Sequence, residues 1–166
     1  YLILMDGDGE DRAVEIKSLV NKIQSDPNTS VVAKRVKRSE GLFFKFLYQM
    51  HKLITLLFTG KNINFGNYSC LTKKDANIIS SKPSLWSSYS GTVKKFVKNF
   101  NEINSTRGLR YFGPSKMSFF KLLIHSLSIV AVFKLQVILR SLIIIFALYF
   151  TNFFSQNIEN IIYFLL

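Results

Sequence analysis

Four carboxylates, Asp6, Asp8, Glu10 and Asp11, crowd into one short stretch directly after the apolar run Tyr1-Leu2-Ile3-Leu4-Met5. Asp6 and Asp8 stand one residue apart, and Gly7 and Gly9 between them and Glu10 let the backbone turn tightly. That spacing suits a hard oxygen site for Mg²⁺ or Mn²⁺. A cation held there would neutralise a bound diphosphate and the charge that builds as the diphosphate leaves. The same residues also read as an acidic strand-to-helix turn, with Asp11 capping a helix and the others solvated. An EF-hand is disfavoured, because no acidic residues follow at the spacing of that loop.

Two basic groups accompany the acidic one. Lys34-Arg35-Val36-Lys37-Arg38 is either a solvated loop or a phosphate clamp, since arginine offers planar, bidentate donors to phosphate oxygens. Arg107, Arg110, Lys116 and Lys121 surround Tyr111-Phe112-Gly113-Pro114-Ser115. Cations interleaved with aromatics suit single-stranded nucleic acid, but the apolar tail that follows argues against that partner.

These groups need elements to hold them. The apolar opening run lacks alternation and predicts a strand covered on both faces, as in a parallel sheet, with the carboxylates at its carboxyl end where α/β sheets bind ligands. Ile16, Leu19, Val20 and Ile23 recur at helical spacing and predict a helix from Arg12 to Ser25, stopped by Asp26-Pro27-Asn28. Val31 to Ala33 predicts a short strand running into the first basic group. Leu42 to Phe58 predicts a largely buried helix ended by Thr59-Gly60, with His51 packed inside or partly exposed. Ile63 to Leu71 is extended, Thr72 caps a helix from Lys73 to Ser80, and Val93, Phe96 and Val97 mark another short helix.

The chain changes character at Met117. Phe119, Phe120, Leu122, Leu123, Leu127 and Val130 line a helix that also carries Lys116, Lys121, His125 and Lys134, the pattern of a helix lying in a membrane interface. Leu135 to Phe154 supplies about 20 residues, enough to span a bilayer. Arg140 is the one charge in that stretch and lies near enough to its start to snorkel. A buried hairpin is the alternative reading. Ile158 to Leu166 reads as the beginning of a second apolar segment.

Composition agrees with a membrane-associated chain. The 166 residues would make one domain, but 48% hydrophobic residues and a mean hydropathy of +0.20 are high for a soluble one. A net charge of +12 calls for an anionic partner: nucleic acid, a phospholipid surface or a phosphorylated substrate. The single cysteine, Cys70, excludes a disulfide framework and a cysteine-based zinc site and reads as a small buried group. With no initiator Met, the chain reads as the later part of a longer domain. The excess of Lys and Arg before the span puts the preceding residues on the cytoplasmic face.

Together the motifs resemble family-2 glycosyltransferases of the GT-A fold, in particular the branch that acts with dolichyl or polyprenyl phosphate. Asp6-Gly7-Asp8-Gly9-Glu10 is similar to that family's DxD-type metal motif. Val32 to Arg38 resembles its v-x-x-R-x-x-R element, and Arg110-Tyr111-Phe112-Gly113-Pro114-Ser115-Lys116 its R-y-x-G-x-S-K motif. Gly66 to Thr72 sits where the family often has D-F-R-L, but Asn67 and Ser69 replace the Asp and Arg. The elements occur in the family's order and cover nearly the whole chain.

The resemblance implies an α/β fold. Residues 1–116 would be the later portion of a GT-A (Rossmann-like) domain, 117–134 a juxtamembrane helix, and 135–166 one membrane span with the start of a second. It implies a metal-dependent sugar transfer from a nucleotide-sugar donor to a lipid-linked, polyprenyl-phosphate-like acceptor or a polysaccharide precursor. Asp6 and Asp8 would hold the cation and Glu10 complete or position its sphere. Arg35, Arg38, Arg110 and Lys116 would grip phosphates, with Ser115 orienting the loop that carries Lys116. Self-association stays compatible with all of this. Two rivals remain: a non-enzymatic basic membrane protein binding anionic lipid, and a nucleic-acid binder, which explains the charge but not the span.

Overall fold

In a computed structural model, residues 1–37, 42–113 and 118–165 are described. The element order is β1 (Leu2–Leu4), α1 (Ile16–Ser25), β2 (Ser30–Lys37), α2 (Leu42–Thr59), β3 (Phe65–Leu71), α3 (Lys73–Ser80), α4 (Tyr89–Phe96), β4 (Phe100–Thr106), α5 (Phe119–Ala131) and α6 (Lys134–Leu165). Short 3₁₀ turns at Ala13–Glu15 and Pro83–Trp86 lead into α1 and α4.

The four strands form one mixed sheet in the order β1-β3-β2-β4. β3 runs antiparallel to both β1 and β2, and β4 is parallel to β2. It follows that β1, β2 and β4 point the same way and end at the same edge of the sheet. The acidic stretch after β1, the basic half of β2 and the Arg107–Arg110 segment after β4 therefore gather at that edge.

The pleat sends successive β2 residues to opposite faces and so divides the core. Val31 and Ala33 join Tyr68 and Cys70 beneath Leu19 and Ile23 of α1. Val32 joins Phe65, Leu71, Ile79, Val93 and Val97 on the face covered by α3 and α4. The result is an α/β layer arrangement with helices on both faces. Two caps set helix starts: Thr72 Oγ1, as expected, accepts from the Asp75 N–H at 3.1 Å, and Ser88 Oγ, not foreseen in the sequence, accepts from the Gly91 N–H at 3.1 Å.

Four expectations need correction. β1 is an edge strand paired only with β3, and Leu2 and Ile3 are 49% and 36% exposed rather than covered on both faces; an apolar run carries no mark of which neighbours will cover it. Lys34 to Lys37 lie within β2 rather than in a loop beyond it. α2 spans its expected residues but packs on α5 and α6, not on the sheet, and much of its apolar surface faces outward. α6 continues as one helix to Leu165, so no second segment starts near Ile158.

α5 and α6 are tied to the α/β unit through α4. The Lys95 ammonium donates to the Val132 carbonyl at 2.5 Å, and Val132 and Phe133 are buried at that junction. Over Lys134–Asn157, α6 is long and apolar enough to cross a membrane, and none of its most apolar stretch is buried in the protein. That exposure disfavours the buried-hairpin alternative.

Candidate functional site

β1 delivers Asp6 to the carboxyl edge of the sheet, where the chain leaves the strand and turns. Within the turn, the Asp6 N–H donates to Asp11 Oδ2 at 2.9 Å, and the Glu10 N–H donates to Asp8 Oδ1 at 3.0 Å. The turn needs a glycine at position 9, whose φ is +90°. A Cβ there would also lie 2.9 Å from the Leu109 carbonyl oxygen and the Tyr111 ring.

That close approach reflects a zipper between two remote segments. The Gly108 N–H donates to the Glu10 carbonyl at 2.8 Å and the Tyr111 N–H to the Asp8 carbonyl at 2.9 Å. The segment after β4 thus lies hydrogen-bonded along the acidic turn. Its side chains follow: Arg110 Nη2 is 3.2 Å from Asp8 Oδ2, and Arg110 Nε donates to Glu10 Oε1 at 2.8 Å. Arg107 pairs with the other Glu10 oxygen. The hydrogen bond that Arg110 donates to Glu10 and the surrounding carboxylates raise the Arg110 pKa above its ordinary value.

β2 and β3 complete the edge. Arg35 Nη2 is 4.0 Å from Asp11 Oδ1, and the Arg35 guanidinium lies across Gly66 of β3, where a Cβ would meet it at 2.6 Å. Asp11 is 4% exposed, and burial pushes its carboxyl above the usual range. It caps no helix: the residue at the start of the 3₁₀ turn is Arg12, without a side-chain cap. Asp11 instead fastens the turn to the end of β1. Asn67 Nδ2 donates to Asp6 Oδ1 at 3.1 Å. Beside Asp6 opens a cleft of about 420 Å³ lined by Ile3, Leu4, Met5, Asp6, Asn67 and Tyr89.

Tyr89 shares a 2.5 Å hydrogen bond with Ser69 Oγ at this cleft. Burial pushes its hydroxyl up to about 12, so it stays protonated at neutral pH and does not serve as a base there. Tyr68, whose hydroxyl donates to the Arg12 carbonyl at 2.8 Å, is likewise pushed up to about 12 by burial.

Of the residues singled out in the sequence, Asp6, Asp8, Glu10, Arg35 and Arg110 meet at one sheet edge. Arg38, Ser115 and Lys116 lie outside the described residues. Glu10 has both oxygens occupied by guanidinium groups, so its observed role is to hold Arg107 and Arg110. Among the described residues no three His, Cys, Asp or Glu side chains converge to hold a metal. Asp8 is engaged likewise, its Oδ1 by the Glu10 N–H and its Oδ2 by Arg110, and Asp6 Oδ1 accepts from Asn67; a Mg²⁺ held by Asp6 and Asp8 would share these oxygens and complete its octahedron with water and substrate phosphates.

Sequence reasoning passed over Asp11 as a buried brace, Asn67 as a partner of Asp6, and Tyr89. The burial of Asp11 leaves no trace in local spacing. Asn67 carried a signal, because an amide standing in place of a carboxylate beside a metal motif converts a repelling neighbour into a donor. No protein-family model, curated protein or solved structure matches this chain.

Proposed function

We propose that this chain belongs to a membrane-associated glycosyltransferase that moves a sugar from a nucleotide-sugar to a lipid-linked or polysaccharide-precursor acceptor. The observation that carries the reading is the zipper between Asp8–Glu10 and Gly108–Tyr111. Two motifs from opposite ends of the α/β portion, one suited to a cation and one to phosphate, are joined backbone to backbone at the carboxyl edge, just before the apolar helices.

In this reading Asp6 and Asp8 hold Mg²⁺ or Mn²⁺, with Asn67 fixing the Asp6 carboxylate. When bound, the cation neutralises the donor diphosphate and the charge it gains on leaving. An acceptor oxygen forms the new bond to the anomeric carbon while the bond to the diphosphate oxygen breaks, and the diphosphate takes the electron pair. Arg110, held by Asp8 and Glu10, supplies charge-assisted donors to the departing phosphates. Arg35 adds a second cation at the same edge. A lipid-phosphate acceptor arrives ionised and needs no base. An acceptor hydroxyl must lose its proton, and Tyr68 and Tyr89 do not take it at neutral pH.

The α6 span supports a lipid-linked acceptor, and the positive charge ahead of it supports placing the site on the cytoplasmic face. A second reading, a non-enzymatic protein whose cations bind anionic lipid, is supported by the net charge of +12 together with α6. Calorimetric titration of the protein in detergent with UDP-, GDP- and dTDP-sugars separates the two. Binding of one donor that requires Mn²⁺ or Mg²⁺ supports the transferase; binding of none of them, with or without metal, removes it.

A further inference from the structure

The helix α2 is built inside out. Its inward side carries the buried hydroxyls Thr55 and Thr59, whereas Phe46, Met50, Leu53, Ile54, Leu56 and Leu57 face outward, with Leu53 58% and Leu57 50% exposed. At 3.6 residues per turn these six form one broad stripe. By contrast α1, which covers the sheet, buries Leu19 and Ile23 and exposes Lys17, as a water-facing helix should. An apolar stripe of this extent marks an interaction surface.

The depth of α2 identifies what covers that surface. Its last turn packs against α6, and Leu57 shares an open crevice of about 300 Å³ with Arg140, Ile143 and Ile144. Ile144 lies ten residues beyond Lys134, about 15 Å down the helix at 1.5 Å per residue. If α6 enters the bilayer near Lys134, Leu57 sits at hydrocarbon depth. A helix end at that depth must satisfy its carbonyls without water. Two of these carbonyls have donors: the Gly60 N–H donates to the Leu56 carbonyl at 2.8 Å and Arg140 Nη1 to the Leu57 carbonyl at 3.3 Å, while Thr59 Oγ1 turns back to the Thr55 carbonyl at 2.6 Å. Gly60, with φ +69°, lets the Arg140 guanidinium approach, since a Cβ would overlap it.

We propose that α2 is a membrane-embedded wedge, inserted beside α6 with its outward stripe against lipid acyl chains and its end sealed by Arg140. The inference rests on α6 being the span. It recasts Arg140 from a snorkelling charge into the group that closes a second embedded helix. The α/β unit would then touch the bilayer through two elements remote in sequence, α2 and α6, which fixes the orientation of the carboxyl edge relative to the surface.

Site-directed spin labelling of the protein in phosphatidylcholine–phosphatidylglycerol vesicles tests this. Nitroxides are attached at Leu53→Cys, at Ile143→Cys as the span reference and at Lys17→Cys as the water reference; buried Cys70 is left in place, since label does not reach it. The expected result is that Leu53 and Ile143 collide severalfold more often with oxygen than with a water-soluble nickel chelate, and Lys17 the reverse. Leu53 behaving like Lys17, or shielded from both reagents as under a second copy of the chain, overturns the wedge while Ile143 still reports the span. Ile143 in water overturns the span and the wedge together. Should Leu53→Cys misfold, Leu57→Cys reads the same stripe.

Discussion

Arg110 bridges Asp8 and Glu10, with Nη2 3.2 Å from the first carboxylate and Nε 2.8 Å from the second. One planar guanidinium therefore ties the proposed cation ligand to a carboxylate that also holds Arg107. The arrangement keeps a positive fork beside Asp6 and Asp8 and restrains it from swinging into solvent. Lysine, a point charge on a flexible stem, does not reproduce that fork.

If the protein is the proposed transferase, Arg110→Ala is expected to lower sugar transfer about ten- to a hundredfold, the effect of losing a charge-assisted contact of about 1.5–3 kcal/mol. Arg110→Lys should recover little of it. Initial rates at saturating metal give the comparison, and full activity in Arg110→Ala removes the phosphate-gripping role.

Asp8→Asn should abolish transfer and leave the melting temperature nearly unchanged. Asp8 is only partly buried, and the amide oxygen still accepts from the Glu10 N–H. Metal-dependent transfer at the wild-type level would show that the cation is held elsewhere, and a collapse of the melting temperature would show that Asp8 is structural.

Gly9→Ala tests the zipper itself. The positive φ and the 2.9 Å approach of the Leu109 carbonyl both oppose a side chain, and the opposing atom is backbone. A left-handed non-glycine residue costs of order 1–3 kcal/mol. Thermal unfolding should record that loss, and transfer should fall further than stability, because separating Asp8 from Tyr111 dismantles the site before the sheet. Wild-type activity in this variant would mean that the two segments act independently.

Much of this architecture was legible in the sequence, for identifiable reasons. The α1 periodicity, the Thr72 cap and the apolar Leu135–Phe154 stretch are local signals, and each element formed where its signal lay. The gathering of Asp6, Arg35 and Arg110 at one edge depends on strand direction, which no local pattern encodes; the motif order hinted at it. The misreadings concern partners. Apolar runs at β1 and α2 announce burial but not its medium, and α2 found α5 and α6 instead of the sheet. Asp11 looked like a helix cap because caps are the commonest use of an aspartate before a helix, while its true partner, the Asp6 N–H, lies back at the strand end.

The brace formed by Asp11 has a pH signature. Burial raises its folded-state pKa, outweighing the Asp6 hydrogen bond and the Arg35 attraction that lower it. The folded state then binds a proton that the unfolded state releases. Asp11 therefore contributes most to stability below its ordinary pKa, and the contribution is lost as pH rises through the raised value. In Asp11→Asn the side chain is neutral throughout and keeps an oxygen for the Asp6 N–H. Melting temperatures of that variant relative to wild type should rise from about pH 4 to pH 7. A relative fall over that range would mean that the ion pair with Arg35, not burial, governs the carboxylate.

The last prediction concerns where the chain resides. α6 offers Lys134–Asn157 with no buried apolar stretch, and α5 leads into it from a capped start at Ser118. Beyond the contacts with α2 and α5 near its start, nothing covers that surface among the described residues, and exposing it to water would cost about 25 cal/mol for every Å² of apolar area. A headgroup-borne acceptor would meet the carboxyl edge at the bilayer surface without diffusing through water. Carbonate washing of membranes from cells making the protein should therefore leave it in the pellet, and detergent should release it. Release by carbonate alone would show that α6 does not span and that the site meets its acceptor in solution.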